Sequence, residues 1–278
     1  MRTTINGIQM AYTDKGEGIP LVFIHGFPLN RESWSKQVEA FQPNHRVIAP
    51  DLRGLGESEA TPGPVSMDRF AEDIHSLLEH LETGPAILIG HSMGGYVALA
   101  FAAAFPKALR ALVLVSTKAG ADTPEGAAAR RATAEKVRTE GTAVVVNAMA
   151  PKMLSASHSN EAMAAEVRAF MEPSLPEGVI SALLGMAERP DMRPSLGRIR
   201  ARTLVISGAE DTIIPPSESE HLMMAIPSAQ LKILPEAGHL VAFERPEAFN
   251  DALREWLAWG SSLPVQPEGR ARGIRRWL

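Results

Sequence analysis

Apolar and polar positions divide the chain into two kinds of segment. Short, nearly continuous apolar runs predict buried strands, because parallel strands covered on both faces lack polar alternation. The predicted core strands cover residues 21–24, 46–49, 86–89, 109–115 and 203–206, with a weaker pattern at 231–234. Residues 5–12 predict an antiparallel hairpin at one edge of the same sheet.

Longer segments with helical periodicity separate these strands. Residues 67–81 show the clearest stripe, which consists of Phe70, Ile74, Leu77, Leu78 and Leu81. Apolar side chains at this spacing share one helix face. Further helices are predicted over residues 33–41, 93–105, 217–226 and 246–259. The alternation predicts an α/β fold with a mostly parallel, doubly wound sheet of about eight strands.

Residues 119–196 interrupt this alternation. Four helical patterns follow one another there, at 124–139, 142–154, 160–171 and 176–188. A short strand at residues 144–146 is the alternative that would contradict an all-helical segment. The sequence Ser174-Leu-Pro-Glu177 resembles a capping box that would open the last helix. We therefore expect a helical cap inserted into the core domain and lying over the sheet's carboxyl edge.

The predicted domain organisation is one interrupted core with a cap and a tail. The core comprises residues 1–118 and 197–259, the cap residues 119–196, and the tail residues 260–278. The tail is rich in Gly, Ser, Pro and Arg, which predicts a flexible segment. Its arginines could alternatively contact an anionic surface or a partner; they are Arg270, Arg272, Arg275 and Arg276.

Composition narrows the class of protein. The chain has 278 residues, of which 45% are hydrophobic and 22% charged, as in ordinary globular proteins. It contains no cysteine, which excludes disulfides, a thiolate nucleophile and a Cys-ligated metal. A net charge of -4 argues against nucleic-acid binding. Neither a signal peptide nor a membrane span is readable, so we expect a cytoplasmic protein without membrane contacts.

The segment from Gly90 to Gly94 carries the clearest chemical motif. Its sequence Gly-His-Ser-Met-Gly fits G-x-S-x-G, follows a predicted strand and opens an apolar helix. A tight turn of this kind strains the backbone at Ser92 and exposes its hydroxyl. The helix that follows contributes free N–H groups and the positive end of its dipole. Ser92 is therefore the candidate nucleophile.

Three further motifs occur in an order that resembles the α/β-hydrolase superfamily, over residues 5–259. They are His25-Gly-Phe-Pro28, Asp51-Leu-Arg-Gly-Leu-Gly-Glu-Ser58 and Pro235-Glu-Ala-Gly-His239. The resemblance implies an oxyanion hole built from the backbone N–H groups of Phe27 and Met93. It also implies that the Asp51–Ser58 loop is structural, held by an Asp–Arg pair.

The same resemblance supplies partners for the nucleophile in the chain order Ser, Asp or Glu, His. Asp211 follows a predicted strand in the place of the family's acid, and the adjacent Glu210 is the competing candidate. His239 follows the last predicted strand, which is the place of the family's base. The implied triad is Ser92, Asp211 and His239, with no metal and no cofactor.

The substrate class is less specified than the chemistry. The chain is similar to bacterial carboxylesterases and to 3-oxoadipate enol-lactonase-like proteins. We expect hydrolysis of small to medium acyl esters, and of lactones such as N-acyl homoserine lactones. Alternatives are an enol-lactonase, a cofactor-free perhydrolase and a slow-turnover ligand receptor. His91 stands where enol-lactonases often carry an aliphatic residue. Candidate pocket residues are Phe27, Met149, Met153 and Leu240.

An enol-lactone substrate would also require a cation for its carboxylate. The cap supplies candidates at four positions, namely Arg130, Arg131, Arg138 and Arg168. The sequence leaves open whether any of them faces the site. It also leaves the oligomeric state undetermined, and the expected partner is a small-molecule ester or lactone.

Overall fold

A computed structural model describes residues 1–261 of the chain. Eight strands form one sheet in the order β1-β2-β4-β3-β5-β6-β7-β8. The strands are β1 (Arg2–Ile5), β2 (Ile8–Lys15), β3 (Pro20–Ile24), β4 (Arg46–Pro50), β5 (Ala86–His91), β6 (Leu109–Val115), β7 (Arg202–Gly208) and β8 (Gln230–Leu234). The β1–β2 hairpin is antiparallel and joins β4 antiparallel, whereas every pairing from β4 to β8 is parallel. The predicted fold class is confirmed.

Ten α-helices are present in the described part of the chain. They are α1 (Ser35–Phe41), α2 (Met67–His80), α3 (Met93–Ala104), α4 (Pro124–Glu140), α5 (Ala143–Met149), α6 (Glu161–Met171), α7 (Pro176–Ala187), α8 (Pro216–Ala225), α9 (Val241–Glu244) and α10 (Pro246–Ser261). Short 3₁₀ turns precede α1, follow α5 and precede β7. The short helix α9 had no counterpart in the sequence prediction, because four residues are too few to show a period.

Alternate residues of the central strands supply the two apolar layers. In β3, Val22 and Ile24 join the layer that contains α2 and α3, while Leu21 and Phe23 join the layer with α1 and α10. Because successive side chains of a strand point to opposite faces, a continuous apolar run fills both layers. The edge strand β8 is mostly exposed, which explains its weaker sequence pattern.

Helix α2 shows how a predicted stripe is used. Ser66 caps it by accepting a hydrogen bond from the Arg69 amide, and the predicted face from Phe70 to Leu78 is buried. Asp73 is buried on the same helix, which the stripe did not predict. Its carboxylate receives two hydrogen bonds of 2.7 Å from the Arg53 guanidinium.

The structure decides two open points within residues 119–196: whether residues 144–146 form a strand, and whether Ser174 caps α7. Residues 144–146 lie inside α5, so they form no strand. The capping box proposed at Ser174 is wrong, because Leu175 occupies the N-cap of α7 without a side-chain cap. The Ser174 hydroxyl instead accepts a hydrogen bond of 3.1 Å from the Gly56 amide. Ser174 thus bonds to the Asp51–Ser58 loop and not to the first turn of α7.

None of the helices formed by residues 1–261 has the length and apolar character needed to cross a membrane. The last predicted helix extends by two residues beyond 259, to Ser261. The predicted tail arginines, at positions 270, 272, 275 and 276, lie outside the described residues.

Candidate active site

The turn between β5 and α3 exposes Ser92 in a strained conformation. Ser92 has φ 52° and ψ −113°, a positive φ that non-glycine residues rarely adopt. A Cβ on Gly90 would lie 2.3 Å from the Gly94 carbonyl oxygen, and one on Gly94 equally close to the Ile24 carbonyl oxygen. The two glycines of the motif are therefore required by backbone packing. Ser92 is half-buried, whereas both its neighbours are buried.

Backbone and hydroxyl groups fix this turn, which we call the elbow (Gly90–Gly95). The Ser92 amide donates to the Val115 carbonyl at 2.9 Å. The Ser92 carbonyl accepts from the Gly95 amide at 2.9 Å and from the Thr117 hydroxyl at 2.7 Å. Thr117 is fully buried and did not emerge from the sequence, because it follows β6 and lies 25 positions away.

His239 and Asp211 form a buried hydrogen-bonded pair. The Nδ1 atom of His239 lies 2.8 Å from Oδ2 of Asp211, and their side chains are 1% and 0% exposed. The other carboxylate oxygen accepts from the amides of Ile213 and Ile214, both at 2.9 Å. The pair thus engages Nδ1 and leaves Nε2 for proton exchange. Glu210, the competing candidate, is bound to the exposed Ser157 hydroxyl instead.

His91 joins the elbow to the histidine loop. Its Nε2 donates to the His239 carbonyl at 2.9 Å, and the two imidazole centroids are 4.8 Å apart. Burial, followed by the proximity of His239, lowers the pKa of His91 well below 6.5. His91 is therefore neutral at physiological pH. A second imidazolium beside His239 is thereby avoided.

The loop after β3 lies beside the elbow. A Cβ on Gly26 would lie 2.6 Å from the His91 Nδ1 and 3.0 Å from the Ser92 Cβ, so only a glycine lets the loop approach the elbow this closely. The His25 ring holds the loop, since Nδ1 donates to the Gly26 carbonyl at 2.9 Å and Nε2 accepts from the Leu52 amide at 3.0 Å. The Phe27–Pro28 peptide bond is cis.

The two expected oxyanion donors belong to these two segments. Phe27 follows Gly26 in the loop, and its side chain is 4% exposed. Met93 is the first residue of α3, where an amide has no carbonyl partner within the helix. The fold thus brings the segment that carries the Phe27 amide beside the elbow that carries the Met93 amide.

The predicted pocket residues lie in two apolar clusters. Met153 and Leu240 are buried together with Leu29, and the Leu240 amide donates to the Met153 carbonyl at 3.0 Å. Phe27 belongs to the larger cluster around α2 and α3. Met149 is half-buried and packs against both clusters. The structure thus brings Met149 and Met153 from the cap against Leu240 from the histidine loop.

Asp–Arg pairs hold the Asp51–Ser58 loop, as expected, and each is formed with a residue outside it. Asp51 pairs with Arg31, and Arg53 pairs with Asp73. The Asp51 carboxylate also accepts from the Glu57 amide at 2.9 Å. Both acid–base pairs connect the loop to other elements.

Most of the cap arginines are engaged within the cap. Arg130 pairs with Asp122, and Arg138 pairs with Glu135 on the same helix. Arg168 donates to the Asn147 side chain at 2.9 Å. Arg131 is exposed. Within residues 1–261, no group of three or more His, Asp or Glu side chains is placed to hold a metal ion.

A family model for the alpha/beta hydrolase fold matches residues 19–246. This chain therefore belongs to the α/β-hydrolase family. Its fold is similar to a thermophilic esterase from Thermogutta terrifontis, solved with malate bound (TM-score 0.91, 41% identity, 93% of this chain and 98% of that chain).

Two lactone-acting relatives are also similar. The 3-oxoadipate enol-lactonase 2 of Acinetobacter baylyi is 30% identical over 235 residues, which cover 84% of this chain and 86% of the relative. The structure of Est816, described as an N-acyl homoserine lactone degrading enzyme, is 25% identical with a TM-score of 0.79, over 92% of this chain and 100% of that chain.

Proposed function

We propose that the protein is a serine-dependent carboxylic-ester hydrolase that works through an acyl-enzyme. The observation that carries the proposal is the strained Ser92, whose neighbour His91 is hydrogen-bonded to the His239 of a buried His239–Asp211 pair. A nucleophile, a base and a group that orients the base are the three parts that acyl transfer requires. Similarity to an esterase and to two lactone-acting proteins supports this chemistry.

Acylation begins when His239 Nε2 takes the proton of the Ser92 hydroxyl. The oxygen attacks the ester carbonyl, and the amides of Phe27 and Met93 stabilise the resulting oxyanion. Each such donor contributes about 3–4 kcal/mol to the transition state. The imidazolium then protonates the leaving alkoxide, while Asp211 stabilises its charge. The C–O bond to the alcohol breaks and the acyl group remains on Ser92.

Deacylation repeats these roles with water as the nucleophile. His239 takes a proton from the water, which attacks the acyl-enzyme carbonyl. The bond between the acyl carbon and the Ser92 oxygen then breaks, the imidazolium returns the proton to that oxygen, and the carboxylic acid is released. His91 stays neutral throughout, because its buried ring disfavours a positive charge. A charged His91 would oppose the formation of the His239 imidazolium in both steps.

The apolar side chains near the histidine loop favour acyl esters of small to medium length. Met149 and Met153 offer pliable walls for such a chain, since methionine adapts to irregular spaces. Lactones, including N-acyl homoserine lactones, present the same carbonyl chemistry and an acyl chain. Carboxylated enol-lactones rank second, because two candidate cations, Arg130 and Arg138, are already paired with carboxylates.

Perhydrolysis and ligand reception are the remaining alternatives. A perhydrolase would use peroxide in place of water at the acyl-enzyme, so the ratio of peracid formation to ester hydrolysis ranks this activity. A receptor would retain its ligand with very low kcat. Turnover numbers on the substrates below therefore separate an enzyme from a receptor.

A panel of p-nitrophenyl esters and lactones tests the proposal. Ser92→Ala should lower kcat by about 10⁴-fold or more, because the covalent route is lost. Ser219→Ala is the matched control, since this buried hydroxyl on α8 has no hydrogen-bond partner in the described chain. A Ser92→Ala protein as active as the parent would disprove the mechanism.

Asp211→Asn provides a second test of the same site. We expect a fall in kcat of about 10⁴-fold, because an amide cannot hold the required histidine tautomer. The Glu210→Gln variant should keep its activity, because Glu210 binds the exposed Ser157 rather than His239. A larger loss of kcat in Glu210→Gln than in Asp211→Asn would show that Glu210, and not Asp211, orients the histidine.

A further inference from the structure

Glu244 is a buried carboxylate outside the proposed triad. It is the last residue of α9 and is 3% exposed. Its Oε1 accepts from the Gly238 amide at 2.8 Å, and its Oε2 accepts from the Ser155 amide at 2.7 Å. The first amide immediately precedes His239, and the second belongs to the cap. One side chain therefore binds the histidine loop and the cap at once.

The backbone around this carboxylate is tightly packed. A Cβ on Gly238 would lie 2.6 Å from the Ser155 amide nitrogen and 2.7 Å from the Leu154 carbonyl carbon. The cap segment 153–155 thus rests directly on the residue before His239. On the other side of His239, the Leu240 amide donates to the Met153 carbonyl. The cap segment therefore holds the histidine loop on both sides of the base.

The charge of Glu244 is held mainly by amide N–H groups, and the Ser155 hydroxyl and the nearby His158 favour it as well. Burial raises the pKa of Glu244 above 4.5, and the hydrogen bonds from Ser155 and Gly238 offset this only in part. An ionised carboxylate is nevertheless the form that accepts two amide N–H groups on its two oxygens. A protonated carboxyl places an O–H donor, and a glutamine amide an NH2 group, where one of the two carboxylate oxygens was, so one of the two backbone amides would lose its acceptor.

We propose that Glu244 is a positioning residue for His239, which couples the placement of the catalytic base to the cap segment 153–155. It acts through the Gly238 amide and complements His91, which holds the His239 carbonyl from the elbow. The His239 ring therefore reaches Ser92 in the correct orientation only when the cap segment is seated. This inference rests on the proposed role of His239 in ester hydrolysis.

Glu244→Gln is the test, because it preserves size and removes one acceptor. Glu236→Gln is the matched control, since Glu236 lies in the same loop but is exposed and pairs with Arg245. We expect Glu244→Gln to lower kcat on p-nitrophenyl acetate and on p-nitrophenyl octanoate alike, by about tenfold or more, with KM little changed. A residue that only supports the cap would instead affect the octanoate ester and spare the acetate.

A second readout needs no substrate. The imidazole NMR resonances of His239, recorded at one fixed pH, should move in Glu244→Gln and remain unchanged in Glu236→Gln, because the ring position relative to Asp211 and His91 has changed only in the first variant. A shift in a protein without any esterase activity would reject the proposed function and keep the positioning role. Glu244→Asp, which keeps the charge but is too short to reach both amides, should lose rate in the same way.

Three outcomes would overturn the inference. The first is a Glu244→Gln protein that equals the Glu236→Gln control in kcat and in the His239 imidazole resonances. The second is a loss confined to the octanoate ester. The third is that neither Glu244→Gln nor Glu244→Asp folds, which would mean that the carboxylate serves stability alone.

Discussion

The elbow and the cap are held in place by different means. In the elbow, the backbone of one segment is in direct contact with the backbone of another. Added Cβ atoms on Gly90 and Gly94 would therefore lie 2.3 Å from the carbonyl oxygens of Gly94 and Ile24. In most of the cap, side chains make the contacts: α4 is held by the Arg130–Asp122 pair, and α6 packs through Val167, Phe170 and Met171. A glycine at such a backbone contact cannot be replaced without moving the chain, whereas side chains that pack against one another can be exchanged for others of similar volume. On the proposed function, the nucleophile Ser92 thus lies where backbone contacts hold the chain, and the candidate pocket residues Met149 and Met153 lie where side chains make the contacts.

Helix α7 and the segment 153–155 described above are the exceptions within the cap, because their backbones pack closely against the core. A Cβ on Gly178 would lie 1.6 Å from the Gly54 carbonyl oxygen, and one on Gly185 would lie 1.7 Å from the Val65 carbonyl oxygen. Here the cap meets the core as closely as the elbow meets β3. Helix α7 therefore fixes the cap to the core through backbone contacts, whereas α5 and α6 pack through their side chains.

The largest effect is expected from Gly94→Ala in the elbow. The added methyl collides with the Ile24 carbonyl, so we expect a loss of about 3 kcal/mol or more in the free energy of unfolding, together with a loss of activity. Gly126→Ala in the first turn of α4 is the matched change in the cap. Its Cβ meets nothing closer than 3.4 Å, and we expect a gain of about 0.5 kcal/mol.

Denaturant unfolding measures both changes. A Gly94→Ala protein as stable and active as the parent would remove the distinction between the elbow and the cap. A destabilising Gly126→Ala would show that α4 depends on close packing after all.

Gly185→Ala should have the next largest effect. Displacement of α7 from the Val65 carbonyl should lower the free energy of unfolding by about 1–3 kcal/mol. Labelling of Ser92 by a fluorophosphonate should persist in the folded fraction, because the elbow is untouched. Labelling that disappears in a fully folded variant would mean that α7 helps to form the elbow.

The base of the cap should respond to pH. Burial raises the pKa of Asp122, but hydrogen bonds from Arg189 and Arg130 outweigh it and lower the pKa to about 2. Because the folded pKa lies below the unfolded value, the carboxylate stabilises the fold above about pH 4, and this contribution is lost as the pH falls towards 2. Asp122→Asn should therefore lower Tm at pH 7 and make little difference near pH 2.

Thermal melts of Asp122→Asn and the parent across this range measure the effect. A difference in Tm that is the same at pH 7 and pH 2 would contradict a role for the ionised carboxylate. Glu125→Gln, an exposed acid two residues into the cap helix α4, is the control and should change Tm only slightly.

The smallest effect is expected at the surface of α4. Glu135 and Arg138 form an exposed pair three residues apart, and such pairs contribute about 0.5 kcal/mol or less. Glu135→Gln should leave activity unchanged and shift the free energy of unfolding within about 0.5 kcal/mol, by denaturant titration. A larger change would indicate that this face of the cap contacts something beyond solvent.

Local patterns predicted the strands and the main helices correctly, but they did not determine the partners of individual side chains. The stripe on α2 has a helical period and β3 is a continuous apolar run. Each pattern lies within a few residues, so the sequence predicts the helix and the strand directly. The motif indicates that an Asp–Arg pair holds the Asp51–Ser58 loop, but it does not indicate that Asp51 and Arg53 each have a partner 20 positions away. Ser174 was assigned a local cap and instead bonds 118 positions away. Sequence distance carries no information about such contacts.

The candidate site divides in the same way. The elbow glycines, Ser92 and the loop positions of Asp211 and His239 follow from turn chemistry and motif order, because each depends on its own short segment. Thr117, the neutral His91 and the doubly bonded Glu244 became recognisable only in the folded chain. Each of them acts on backbone groups of a different segment, and only the path of the chain brings these groups within 3 Å of one another.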